Sequence, residues 1–103
     1  MRKGIYRDRH DRLRASTGVF PSMLADFLET DVRDNHHWCE ELLNGLNEAR
    51  GGRMFEAYGN LYQLRAGPDG ALLRNGCDDR RAPLKLAVAD LRRALAAWRR
   101  AIG

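Results

Sequence analysis

Apolar residues in this chain change their spacing several times, and each change marks an element. Over residues 21–50 the positions Leu24, Phe27, Leu28 and Val32, then Trp38, Cys39, Leu42, Leu43 and Leu46, recur at steps of three and four. That is the pattern of a helical face turned toward a core. Ser22 is a candidate N-cap for a first helix over 23–32. The apolar phase runs on across Arg33 without a Pro or Gly, but Asp34 and Asn35 are good caps for a new helix. The pattern therefore predicts two helices with a bend at Asp34-Asn35, the second ending at Gly51-Gly52, where glycines accept the left-handed conformation. Upstream, GIYR and RLRAS read as two short strands around the turn Asp8-Arg9-His10-Asp11. Downstream, the residues Tyr58, Asn60, Tyr62, Leu64 and Ala66 alternate as one strand. Gly67-Pro68-Asp69-Gly70 is a strong turn, and residues 71–75 return antiparallel. Leu84, Val88, Leu91, Leu95, Trp98 and Ile102 then form a last amphipathic helical stripe, with residues 84–86 open to an extended reading.

The order is thus β-β-α-α-β-β-α. It predicts an α+β domain in which a small antiparallel sheet of two hairpins is covered on one face by two or three helices. Leu64, Trp38, Leu42, Leu91, Leu95 and Trp98 are the expected core. With 103 residues, the chain suits one domain with a modest core. It has no apolar run near the ~20 residues of a membrane span. The start, MRKGIYRDRH, has charge but no apolar stretch after it, which argues against a secretory signal. Cys39 and Cys77 suit neither a disulfide framework nor a CxxC pair, so the expected setting is the cytoplasm with reduced thiols.

Charge changes the picture more than composition does. The chain carries a formal net charge of +4, yet residues 22–48 hold seven acids against one base. An acidic helical face on a basic chain points to a binding surface, with Asp26, Glu29, Asp31, Asp34 and Glu41 as its carboxylates. The same carboxylates could instead pair with the chain's own arginines. On the last helix, Arg92, Arg93, Arg99 and Arg100 fall opposite the apolar stripe and form the alternative, nucleic-acid-facing surface. Trp98 falls on the apolar side, so it reads as core and not as a stacking platform. His36 and Cys39 have the i, i+3 spacing of helical metal ligands, but neither His10 nor Cys77 is fixed as a further ligand. Cys39 beside Leu42 and Leu43, with His36 and His37 exposed, is the simpler reading, and no metal or cofactor is expected. Nucleophile-elbow, P-loop and paired-carboxylate signatures are absent, so the chain is read as non-catalytic.

Phe27, Leu28, Trp38, Leu42, Gly59, Asn60, Tyr62, Leu64, Leu95 and Trp98 lie in a layout of helix, helix, GNxYxL hairpin and LxxW helix. In this layout the chain resembles immunity proteins encoded beside contact-dependent growth-inhibition toxins. It also looks like the YacL family of uncharacterised bacterial proteins. The first resemblance implies a cytoplasmic immunity protein whose partner is a cognate toxin domain, with nuclease among the activities it would block. The acidic face would then occlude a basic cleft. On this reading, charge reversal at Asp31 and Asp34 slows association and leaves the fold intact.

Overall fold

A computed structural model describes residues 4–78 and 80–103. The first hairpin pairs β1 (Ile5–Arg7) with β2 (Leu13–Ala15), antiparallel and in register Tyr6 to Arg14. Its turn is closed by Asp8, whose carboxylate accepts from the His10 and Arg12 backbone N–H groups at 2.9 and 3.0 Å. Helix α1 (Ser22–Phe27) follows, with Pro21 rather than Ser22 in the cap position and no side-chain cap.

The next turn, Leu28–Val32, is π-helical, and Arg33 N–H reaches back to the Leu28 carbonyl at 2.8 Å. Widening the turn by one residue shifts the angular phase of everything after it. Here it brings Leu28, Asp31 and Val32 all inside. Arg33 then takes φ 54°, ψ −135°, a conformation that L side chains rarely adopt, and the chain breaks direction. The predicted bend is present, and Asn35 caps helix α2 (His36–Arg50) by accepting from Trp38 N–H at 3.0 Å. At the other end of α2 only Gly52 takes positive φ, at 101°, while Gly51 stays at −80°. The strain at Arg33 is worth about 1–3 kcal/mol and the entropy that glycine adds to the unfolded chain about 0.4–1. Arg33→Gly is therefore expected to stabilise the fold by about 1 kcal/mol in urea melts; a loss of stability would show that the side chain matters more than its backbone strain.

The single strand expected across residues 58–66 is two strands. β3 (Phe55–Tyr58) turns at Gly59-Asn60-Leu61 and returns as β4 (Tyr62–Gly67). β5 (Gly70–Asn75) follows across the expected Gly67–Gly70 turn, and residues Leu84–Leu86 are extended, forming β6 on the far side of β5. Helix α3 (Val88–Ile102) closes the chain. The architecture is α+β, as the pattern predicts, with two strands more than the predicted order. The first hairpin forms its own two-stranded sheet, and the second sheet has the order β3-β4-β5-β6, antiparallel throughout.

Alternation in the larger sheet sorts its two faces. Phe55, Ala57, Tyr62, Leu64, Ala66, Ala71, Leu73, Leu84 and Leu86 turn inward onto α2 and α3. Of the expected core, Leu42, Leu64, Leu91, Leu95 and Trp98 are buried and Trp38 is half-buried. Phe27 joins the layers, meeting Trp38 and Tyr62 edge to face with ring centroids 6.1 and 5.9 Å apart. Such contacts add about 0.5–1.5 kcal/mol each beyond area burial. At Gly45 on α2 the sheet comes close, since a Cβ there would stand 2.2 Å from the Phe55 ring. Among the described residues no helix is long and apolar enough to cross a membrane.

Candidate functional site

The five carboxylates of the expected acidic face do not share one direction. Asp31 is buried, and it accepts from Tyr62 N–H at 2.8 Å and from Leu61 N–H at 3.1 Å. It closes the β3–β4 turn from below, which is why position 59 is glycine: a Cβ there would lie 2.2 Å from the Asp31 carboxylate. Asp26, half-buried, accepts from the Tyr62 hydroxyl at 2.5 Å. Burial, with this bond to Asp26 adding to it, pushes the Tyr62 phenol up to about 12. Glu29 accepts from Ala15 N–H at 2.7 Å and pairs with Arg14 at 3.3 Å. These three side chains staple α1 and the π-turn to β2, to β4 and to the β3–β4 turn. The expectation that reversal at Asp31 leaves the fold intact is corrected here, because a lysine at that position would face two backbone donors in a buried site.

Asp34 and Glu41 do reach solvent. Asp34 lines a groove of about 540 Å³ between the first hairpin and the π-turn, together with Arg12, Arg14 and Arg33. Arginines of the hairpin therefore offset part of the acidity that the primary sequence concentrates in residues 26–34. The acidity that stays open to solvent lies on α2. Glu41 and Glu48 are exposed two helical turns apart with Asn44 between them, and Glu41 contacts His37 at 3.0 Å. Glu40 beside them is held by Arg99 of α3 at 2.9 Å.

The arginines of α3 are similarly divided. Arg93 pairs with Asp90, and Arg99 binds both Glu40 and the Gly103 carbonyl. Arg92 is half-buried, with its Nε enclosed and without a hydrogen-bond partner among the described residues, and Arg100 is exposed. Only part of the basic surface expected on this helix is thus open to a ligand.

His36 and His37 are exposed, whereas Cys39 is buried and its thiol donates to the Leu95 carbonyl at 3.4 Å. Burial pushes that thiol up to about 11, the environment of an inert core cysteine. Cys77 is exposed. Among the described residues no three His, Cys, Asp or Glu side chains lie close enough to hold a metal ion.

One surface went unrecognised in the sequence. The face of the larger sheet that points away from the helices is uncovered, and it presents Glu56, Tyr58, Gln63, Arg65, Leu72, Arg74 and Lys85. The signal was in the alternation of residues 62–67 and 70–75, but treating 58–66 as one strand placed Tyr58 on the same face as Tyr62. The turn at Gly59–Leu61 puts them on opposite faces. No family model, curated protein or solved structure matches the chain.

Proposed function

We propose that the chain is a non-catalytic immunity-type protein of the bacterial cytoplasm that binds a cognate toxin domain and occludes its active site. The observation that carries this reading is the solvent-facing acidity of the helical side: Glu41 and Glu48 on α2, exposed and unpaired with any arginine among the described residues, with exposed Asp34 just before the helix at the rim of the arginine-lined groove. In this reading Asp26, Glu29 and Asp31 hold the fold that presents the surface, and Asp34 and Glu41 meet the partner. Carboxylates aligned on a rigid helix create a field that accelerates encounter with a basic cleft, the kind a nuclease offers its substrate. Such an inhibitor needs no cofactor, and its association is fast and sensitive to salt.

The test begins with co-purification from the encoding bacterium and identification of a stoichiometric partner whose activity the chain blocks. Association is then timed for the parent and for Glu41→Lys combined with Glu48→Lys. The expected result is an association rate lower by about tenfold or more at low salt, with the melting temperature unchanged and the gap closing as salt rises. An unchanged rate would remove the electrostatic argument, and a partner whose activity persists in the complex would remove the inhibitory one.

A further inference from the structure

We propose that the uncovered face of the four-stranded sheet is a binding platform for single-stranded nucleic acid, separate from the acidic surface on α2. The register of the sheet sets its outward residues in two rows. One runs Tyr58, Gln63, Arg74 across β3, β4 and β5. The other runs Glu56, Arg65, Leu72, Lys85 across all four strands. Adjacent strands lie about 4.8 Å apart, so each row is a short ladder of side chains standing off the sheet.

The chemistry of the two rows is that of a single-strand binder. Tyr58 is 66 % exposed, an unusual position for a large ring on an open sheet. Its hydroxyl donates to Glu56 at 2.7 Å, a bond that fixes the ring on this face before any ligand arrives. Stacking on a ring already ordered forfeits little rotamer entropy. Glu56, the one acid in the two rows, is faced by Arg65 at 3.8 Å, and Arg74 and Lys85 add two further cations to the rows against Asp69 at the end of the groove. Gln63 beside Tyr58 offers both a donor and an acceptor to a base edge. Two shallow depressions adjoin this face. A hollow of about 100 Å³ lies against Tyr58, Gln63 and Arg74, and a groove of about 550 Å³ reaches Lys85 and Met54. Arg65 and Leu72 line both, so the two lie side by side. Cations that follow a backbone, with an aromatic ring among them, suit unpaired bases. A duplex keeps its bases stacked inside and offers Tyr58 nothing to stack on. An acidic peptide would use the cations but has no need of the ring.

The test is fluorescence anisotropy with labelled ten-nucleotide single strands, DNA and RNA, titrated between 50 and 200 mM salt. A duplex of the same sequence and a poly-glutamate peptide serve as the other probes. The parent protein is expected to prefer the single strands, with a salt slope near −2 for about three phosphate contacts. Tyr58→Ala is expected to weaken binding about 5- to 140-fold and to leave the slope as it is, while Tyr58→Phe, which keeps the ring and loses only its tether to Glu56, weakens it by a smaller factor. Arg65→Ala with Lys85→Ala should make the slope shallower by about 1.4. Circular dichroism confirms that these exposed substitutions leave the fold in place. Glu41→Lys with Glu48→Lys, on the other side of the molecule, should not reduce binding. Absence of binding at 50 mM salt overturns the proposal. So does equal affinity for the peptide or duplex with Tyr58→Ala silent, and so does loss of binding on neutralising Arg92, Arg93, Arg99 and Arg100 while the sheet variants bind normally.

Discussion

Asp31→Ala is expected to lower folding stability by about 3 kcal/mol, since the substitution strips the acceptor from Tyr62 N–H, which is buried, and Leu61 N–H, which is partly so. Each buried donor left without a partner costs about 1–3 kcal/mol, and bonds to a charged acceptor are the stronger kind. In a domain of this size that corresponds to a fall in Tm of roughly 12–24 °C. Asp31→Asn retains one acceptor oxygen and should lose about half as much. The tight approach of Gly59 supplies a second, coupled reading. Gly59→Ala alone forces the carboxylate away from the turn, because its Cβ would stand 2.2 Å from Asp31 Oδ2. With Asp31 already truncated to alanine, the same substitution meets only the residue-31 Cβ, at 3.1 Å, and the severe clash with the carboxylate is gone. Thermal melts of the two single variants and the double should therefore show coupling of about 1 kcal/mol or more, the double losing less than the sum. Stability of Asp31→Ala within about 0.5 kcal/mol of the parent would mean that water replaces the carboxylate and that the turn does not depend on it.

The second large effect is at Trp98. Its indole is fully buried, and Nε1–H donates to the Arg33 carbonyl at 2.6 Å. Trp98→Ala removes the largest side chain of the core and leaves that carbonyl without its donor, an expected loss of about 4–5 kcal/mol. A chain of this length has about 5–15 kcal/mol in all, so the urea midpoint should fall by roughly a third to nearly all of its value. Trp98→Phe separates the two contributions. It keeps most of the apolar volume and loses the hydrogen bond, and the expected loss is about 1–2 kcal/mol. If Phe and Ala destabilise equally, the bond to Arg33, and not the packing, is what Trp98 supplies.

Both predictions turn on contacts between residues far apart in the chain, and this marks the limit of what the sequence discloses. Local chemistry was readable. The Asp8–Asp11 turn, the Asn35 cap and the Gly67–Gly70 turn each act through residues within a few positions, and each is where the pattern puts it. The stripe Val88, Leu91, Leu95, Trp98 and Ile102 was equally plain, because a regular helix repeats one spacing over fifteen residues. The turn after Tyr58 was not plain. Gly59-Asn60 is a weak signal alone, and what makes it a turn is a carboxylate 28 positions earlier, carried there by a π-turn whose irregular phase no fixed period detects. The acidic face misled for a related reason. Counting carboxylates gives their number and not their direction, and Asp26, Glu29 and Asp31 turn to the chain's own N–H and O–H groups. Asp34, just before the Asn35 cap, and Glu41, on the regular helix α2, are the two of the five that reach solvent. The basic sheet face stayed hidden because its residues are spread over β3, β4, β5 and β6 and meet only across the ladder.

The two cysteines keep separate time. Cys77 stands in solvent after β5, where an alkylating reagent reaches it without any opening of the fold. Cys39 is shut into the seam between α2 and α3, bonded to the Leu95 carbonyl and held as a thiol far above neutral pH. Reagent reaches it only when the two helices part, so its labelling rate records the opening of that seam. The molecule thus carries a handle on its outside and a clock in its core, built from the same atom type and distinguished by burial alone.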